Sequence, residues 1–158
     1  MEITNPVPLI HTLLAAVNAH DPDGVVALYA ADYEGLDVSR ALRCYGPDGA
    51  RTALDEWLQA FPDLHLSTRE VCVQSGQTAF FWTREGTHEG VFLSVPPTGR
   101  RVVVCGVSLL TVQRGKITRG LHLWDMAGLL RSMKLLPDLP GHHTASQADL
   151  LSRFLMRL

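Results

Sequence analysis

The residues best equipped for chemistry stand together in Leu121-His122-Leu123-Trp124-Asp125. A histidine changes its charge near neutral pH and serves as general acid or base wherever it is held against a substrate. A tryptophan two residues away shares its face of a strand and supplies either a cavity wall or core. Asp125 has two readings. It either orients His122, which requires a turn in the chain, or caps the helix that follows. His122 itself is either the group that moves a proton or a core histidine hydrogen-bonded to backbone or water. Burial would lower its pKa and keep it neutral, able to accept a proton at pH 7.

These residues lie at the end of the second strand of a long hairpin, Arg101–Asp125, which turns at Gln113-Arg114-Gly115. β-Branched residues flank the turn. Alternation places Thr118, Gly120, His122 and Trp124 on one face and Ile117, Arg119, Leu121 and Leu123 on the other. Neither face is cleanly polar, so both are expected to be covered at least over part of their length. Ser108, on the preceding strand, either donates a hydrogen bond to a substrate oxygen or bonds backbone.

Two other histidine positions carry weaker readings. His88, in Gly86-Thr87-His88-Glu89-Gly90, sits at a strand end, where it either shapes a turn or contacts a ligand. His142-His143 lies in a Pro/Gly linker without a second ligand pair, so no metal site is expected. No Ser-His-Asp order and no phosphate-binding glycine loop is present.

The elements that must position these residues follow from periodicity. Pro6–His20 carries Leu9, Leu13, Leu14 and Val17 on one helical stripe, and Asp21-Pro22-Asp23-Gly24 starts a short second helix. Tyr33–Tyr45 has no clean period and reads either as an edge strand or as a lid loop. A third helix follows Gly46-Pro47-Asp48-Gly49 and runs to about Ala60, with Leu54, Trp57, Leu58 and Phe61 on its core face. Strands are expected over His65–Ser75, Thr78–Thr87 and Gly90–Pro97, then the hairpin, then a helix from Met126. The sequence predicts a linker from Pro137 and a last amphipathic helix over Ala145–Leu158, carrying Leu150, Leu151, Phe154, Leu155 and Leu158. The resulting division is a domain over residues 1–137 and a linker with a terminal helix over 138–158. Helices first and antiparallel strands afterwards give an α+β domain, a curved antiparallel sheet covered by N-terminal helices. Such a curved sheet forms a cone with an internal apolar cavity.

Composition agrees with one globular domain. The 158 residues are 46% hydrophobic and 19% charged, with a formal net charge of −2. That balance offers no basic field for nucleic acid. Apolar runs stop short of membrane-spanning length, and the N-terminus lacks a signal-like pattern. Three scattered cysteines, Cys44, Cys72 and Cys105, fit reduced thiols in a cytoplasmic protein.

An ordered set of short motifs resembles the SnoaL-like polyketide cyclases of the nuclear-transport-factor-2-like superfamily. They are Phe61-Pro62-Asp63-Leu64, Trp82-Thr83 followed by Gly86-Thr87-His88 and Gly90, Pro96-Pro97-Thr98-Gly99-Arg100, Gly115-Lys116-Ile117, and Trp124-Asp125-Met126 with Gly128-Leu129-Leu130. The resemblance covers roughly residues 6–137. It implies a cone-shaped α+β barrel in a homodimer or larger homo-oligomer, and aldol ring closure without metal or organic cofactor. The family acid/base aspartate, seven residues after the turn glycine, matches His122, while Ser108 and Gly106 replace a histidine and a glutamine. The expected catalytic residues are therefore His122 and Asp125, with Trp124, Ser108, Gly106, Trp82 and His88 contacting the substrate.

Three functions remain open at this level. The first is a cofactor-independent enzyme that cyclises or isomerises a hydrophobic carbonyl compound. The second is a non-catalytic protein that binds a small molecule in the same cavity. The third is an assembly module.

Overall fold

The computed structural model describes residues 6–140. The elements run α1 (Val7–Asn18), α2 (Pro22–Val26), β1 (Tyr29–Asp37), β2 (Leu42–Tyr45), α3 (Gly46–Ala60), β3 (His65–Gln74), β4 (Gln77–Thr87), β5 (Arg101–Gln113), β6 (Lys116–Trp124) and α4 (Met126–Ser132). The six strands form one curved, unclosed sheet in the order β2-β1-β6-β5-β4-β3. The expected terminal helix, Ala145–Leu158, and the His142-His143 pair lie outside the described residues.

Four of the five strand pairings are antiparallel, as expected, and one is not. β1 runs parallel to β6, in register from Glu34↔Arg119 to Asp37↔His122. This pairing resolves Tyr33–Tyr45, which forms a strand, a turn and a short edge strand rather than a lid. The segment showed no period because the β1–β6 register shifts between Tyr29 and Glu34. A bulge transfers side chains from one face to the other, and alternation cannot be followed across it.

Gly90–Pro97 corrects a second expectation, since it is a loop built around one buried residue. Phe92 is 1% exposed while Val91 is 64% exposed, and Phe92 and Val95 make an isolated bridge across Leu93 and Ser94, both at positive φ. The loop also completes α3. Glu89 and Gly90 donate their N–H groups to the Ala60 carbonyl, answering one of the orphan acceptors at the helix end. A Cβ on Gly90 would stand 2.1 Å from the Gln59 carbonyl oxygen, so that approach requires glycine.

The helices lie over the concave face of the sheet. α1 buries Ile10, Leu13 and Val17, a stripe displaced slightly from the expected one, with Leu9 and Leu14 only partly covered. Asn18 fixes its end by accepting from Leu66 N at 2.7 Å and donating to Leu66 O at 2.8 Å. α3 buries Ala50, Leu54, Trp57 and Ala60 at helical spacing. Trp57 then joins Phe61, Phe92 and Trp124 in an aromatic cluster with ring centroids 4.6–5.5 Å apart, worth about 1 kcal/mol per pair beyond burial.

The convex face is left open over part of its length. Phe81, Leu109, Leu121 and Leu123 are 36–52% exposed, and no described element covers them. Register places Leu109 beside Leu121.

Candidate active site

The concave face of the sheet and helices α1–α3 line a mostly apolar, partly open cavity of about 130 Å³. Its wall includes His122, Trp124, Ser108, Trp82, Trp57, Tyr33, Asp37 and Arg84. That volume is close to the ~150 Å³ of an apolar cavity that takes benzene. That space takes about one ring within the wall, and a longer ligand would extend out of its open side.

Strand pairing brings the polar groups together. Ser108 and His122 are register partners across β5–β6, and Ser108 Oγ lies 2.8 Å from His122 Nδ1. Trp82 Nε1 donates to the same Oγ at 2.9 Å. An indole N–H can only donate, so the Ser108 hydroxyl accepts from Trp82 and has its own proton left for Nδ1. Placing the His122 proton on Nε2 satisfies Trp82, Ser108 and Nδ1 together, and the tautomer is assigned on that ground. Nε2 faces the Tyr33 hydroxyl at 3.4 Å, a long contact that a ligand oxygen can replace. A Cβ on Gly120 would stand 2.5 Å from the Tyr33 hydroxyl and 2.9 Å from His122 Nε2, so only glycine leaves room for the two to meet.

His122 is neutral at pH 7. Burial first and the positive Arg84 second push its pKa down to about 4, against the opposing pull of Asp37. With Nδ1 occupied and Nε2 protonated, the ring offers the cavity a hydrogen-bond donor.

Asp37 is the one carboxylate on the cavity wall among the described residues. It accepts from Trp124 Nε1 at 3.0 Å and from Arg40 Nε at 2.9 Å, and Arg40 also binds Glu56 at 2.6 Å. The aromatic hydroxyls are held protonated, with burial pushing Tyr29 up to about 12 and Tyr33 well above its ordinary value.

Arg84 has no such partner. Its guanidinium lies 4.5 Å and 4.6 Å from the ring centroids of Trp57 and Trp82, and its buried Nε has no hydrogen-bond acceptor. Among the described residues no carboxylate lies within ion-pair distance of it. Burial draws its pKa down to about 10, so it remains charged at pH 7. Two cation–π contacts supply roughly 1–4 kcal/mol, against a desolvation cost of several kcal/mol for an unpaired ion.

The remaining sequence candidates fall outside this cluster. Asp125 caps α4, accepting from Gly128 N at 2.7 Å, and does not line the cavity. Gly106 does not line it either. A Cβ there would stand 2.3 Å from the Trp82 ring, so its contribution is to let that indole lie across β5. His88 is buried beneath the Thr98 loop, accepting from Thr98 N at 3.2 Å with its ring tilted against Phe61 at 5.4 Å, and burial lowers its pKa. Its place is structural. Sequence reasoning overlooked Arg84, Asp37 and Tyr33 as site residues. Alternation along β4 carried the signal for Arg84, because Phe80, Trp82 and Arg84 share one face and a charge on an apolar face is uncommon.

Comparison with known proteins agrees with this fold. The model of the SnoaL-like polyketide cyclases matches residues 9–133. The chain belongs to that family. Among solved structures, AclR from Streptomyces galilaeus, described as a candidate hydroxylase, is 26% identical with a TM-score of 0.78, covering 99% of this chain and 98% of that one. IdmH from Streptomyces antibioticus, a candidate polyketide cyclase, is 21% identical with a TM-score of 0.73, covering 82% and 99%. A protein with a ketosteroid isomerase-like fold from Catenulispora acidiphila is 15% identical with a TM-score of 0.71, covering 81% and 93%. None of the curated proteins matches. No helix among the described residues of this SnoaL-like chain is long and apolar enough to cross a membrane.

Proposed function

We propose that this SnoaL-like protein enolises a small carbonyl compound in its cavity and cyclises or isomerises it by acid/base chemistry without a cofactor. The observation that supports the reading is that His122, kept neutral by burial, shares the wall of an apolar cavity with Asp37 and Arg84. The substrate carbonyl oxygen accepts a hydrogen bond from Nε2. Asp37, the wall's carboxylate, takes the proton from the neighbouring carbon, and the charge moving to oxygen is stabilised by Arg84. In ring closure the enolate carbon attacks a second carbonyl of the same molecule, and the Asp37 proton passes to the new alkoxide. In isomerisation that proton returns to carbon.

Deuterium uptake at the α-carbon of single-ring ketones and β-keto esters in heavy water tests this. Both His122→Ala and Asp37→Asn should reduce uptake by about 100-fold or more. If wild-type protein binds such compounds yet exchanges nothing, the cavity is a binding site alone.

The likeness to AclR spans nearly the whole of both chains and supports a second reading, hydroxylation of a cavity-bound ring with an oxidant supplied from outside. Product carrying oxygen from labelled O₂ would establish it. The exposed apolar convex face supports homodimer formation through Phe81, Leu109, Leu121 and Leu123.

A further inference from the structure

We propose that the cavity selects ligands carrying an anionic group, a carboxylate or an ionised enol, which binds the Arg84 guanidinium between Trp57 and Trp82. The inference rests on the reading of the cavity as a ligand site and names the class of ligand it takes. Arg84 reaches the cavity wall from β4 with Trp82. The two indoles attract its charge but offer no lone pair to its N–H groups, and its Nε has no acceptor. The other wall arginine, Arg40, is already committed to Asp37 and Glu56. Arg84 thus leaves a planar fork of donors and a positive charge for whatever enters, the arrangement that binds carboxylates in two-point fashion. A cavity of about 130 Å³ limits the enclosed part of that ligand to one ring.

The probes are benzoate and its neutral counterpart of nearly equal shape, benzamide. All three tryptophans of the chain line the cavity, so intrinsic fluorescence at pH 7 reports occupancy directly, with calorimetry giving the affinities. Wild-type protein should bind benzoate at least tenfold more tightly than benzamide. Arg84→Met should remove the preference while keeping benzamide affinity. Arg84→Lys, which keeps the charge and loses the fork, should reduce the preference and serves if the Met variant does not fold. Equal affinities in wild-type protein, no binding of either compound at millimolar concentration, or an unchanged preference in the Lys variant would overturn the inference. Deuterium uptake without benzoate preference overturns this inference alone, whereas benzoate preference without uptake supports it and removes the catalytic reading.

Discussion

Ser108 and His122 face each other across β5 and β6 with Oγ 2.8 Å from Nδ1, and Trp82 Nε1 closes the chain by donating to the same hydroxyl. With an obligate donor at one end, all three groups are satisfied when Ser108 donates to Nδ1 and the His122 proton sits on Nε2. Ser108→Ala removes the link, leaving an indole N–H and an imidazole nitrogen without partners in a buried site. The expected cost is roughly 1–3 kcal/mol in chemical denaturation. Uptake of deuterium should fall with it, because His122 is no longer held in one tautomer. Unchanged uptake in a folded variant would show that the tautomer is immaterial.

Stability should fall as the solution is acidified from pH 6.5 to pH 4. The folded-state pKa of His122, about 4, lies below the ordinary value of 6.5. Between the two values the unfolded chain binds a proton that the folded protein refuses. The stabilisation is therefore fully present above pH 6.5 and lost as pH falls towards 4, by up to about 3 kcal/mol. His88 is also lowered and adds to the slope. His122→Gln isolates the larger part, and its denaturation midpoint should depend less on pH than that of the wild type.

Gly106→Ala should disturb the site without adding a polar group. The new methyl would stand 2.3 Å from the Trp82 ring, forcing that indole off Ser108 and away from Arg84. Tryptophan fluorescence should shift, and ligand affinity should fall. Asp125→Ala is the contrasting case, costing about 1 kcal/mol of cap energy with ligand binding unaltered.

A charge on the convex face should break an assembly and spare the cavity. Leu121 is 42% exposed and adjoins Leu109 in the sheet. Leu121→Glu should shift sedimentation of the full chain from dimer to monomer while melting stays within a few degrees. A wild-type protein that sediments as a monomer would remove the dimer.

Much of this architecture was legible in the sequence wherever period and burial agreed. The Arg101–Asp125 hairpin gave His122 and Trp124 the same face, and the structure places both on the cavity wall. Legibility failed where backbone irregularity broke the period, as at the shift between Tyr29 and Glu34. Asp37 was lost with it, since its place beside His122 depends on a parallel pairing between strands far apart in sequence. Arg84 was hidden for a different reason. Its strand was recognised, but a charge beside aromatics reads as surface until the opposing helix supplies Trp57 as a lid. The roles of Gly106 and Ser108 depended on Trp82 lying across the sheet, which no local pattern announces.

The central claim is that His122 presents a protonated Nε2 to the cavity while neutral. Long-range proton–nitrogen correlation spectra of the ¹⁵N-histidine-labelled protein, followed from pH 7.5 to pH 4, measure this directly. The account predicts an Nε2–H tautomer at pH 7 with titration completing only near pH 4. A proton on Nδ1, or a midpoint near 6.5, would contradict it.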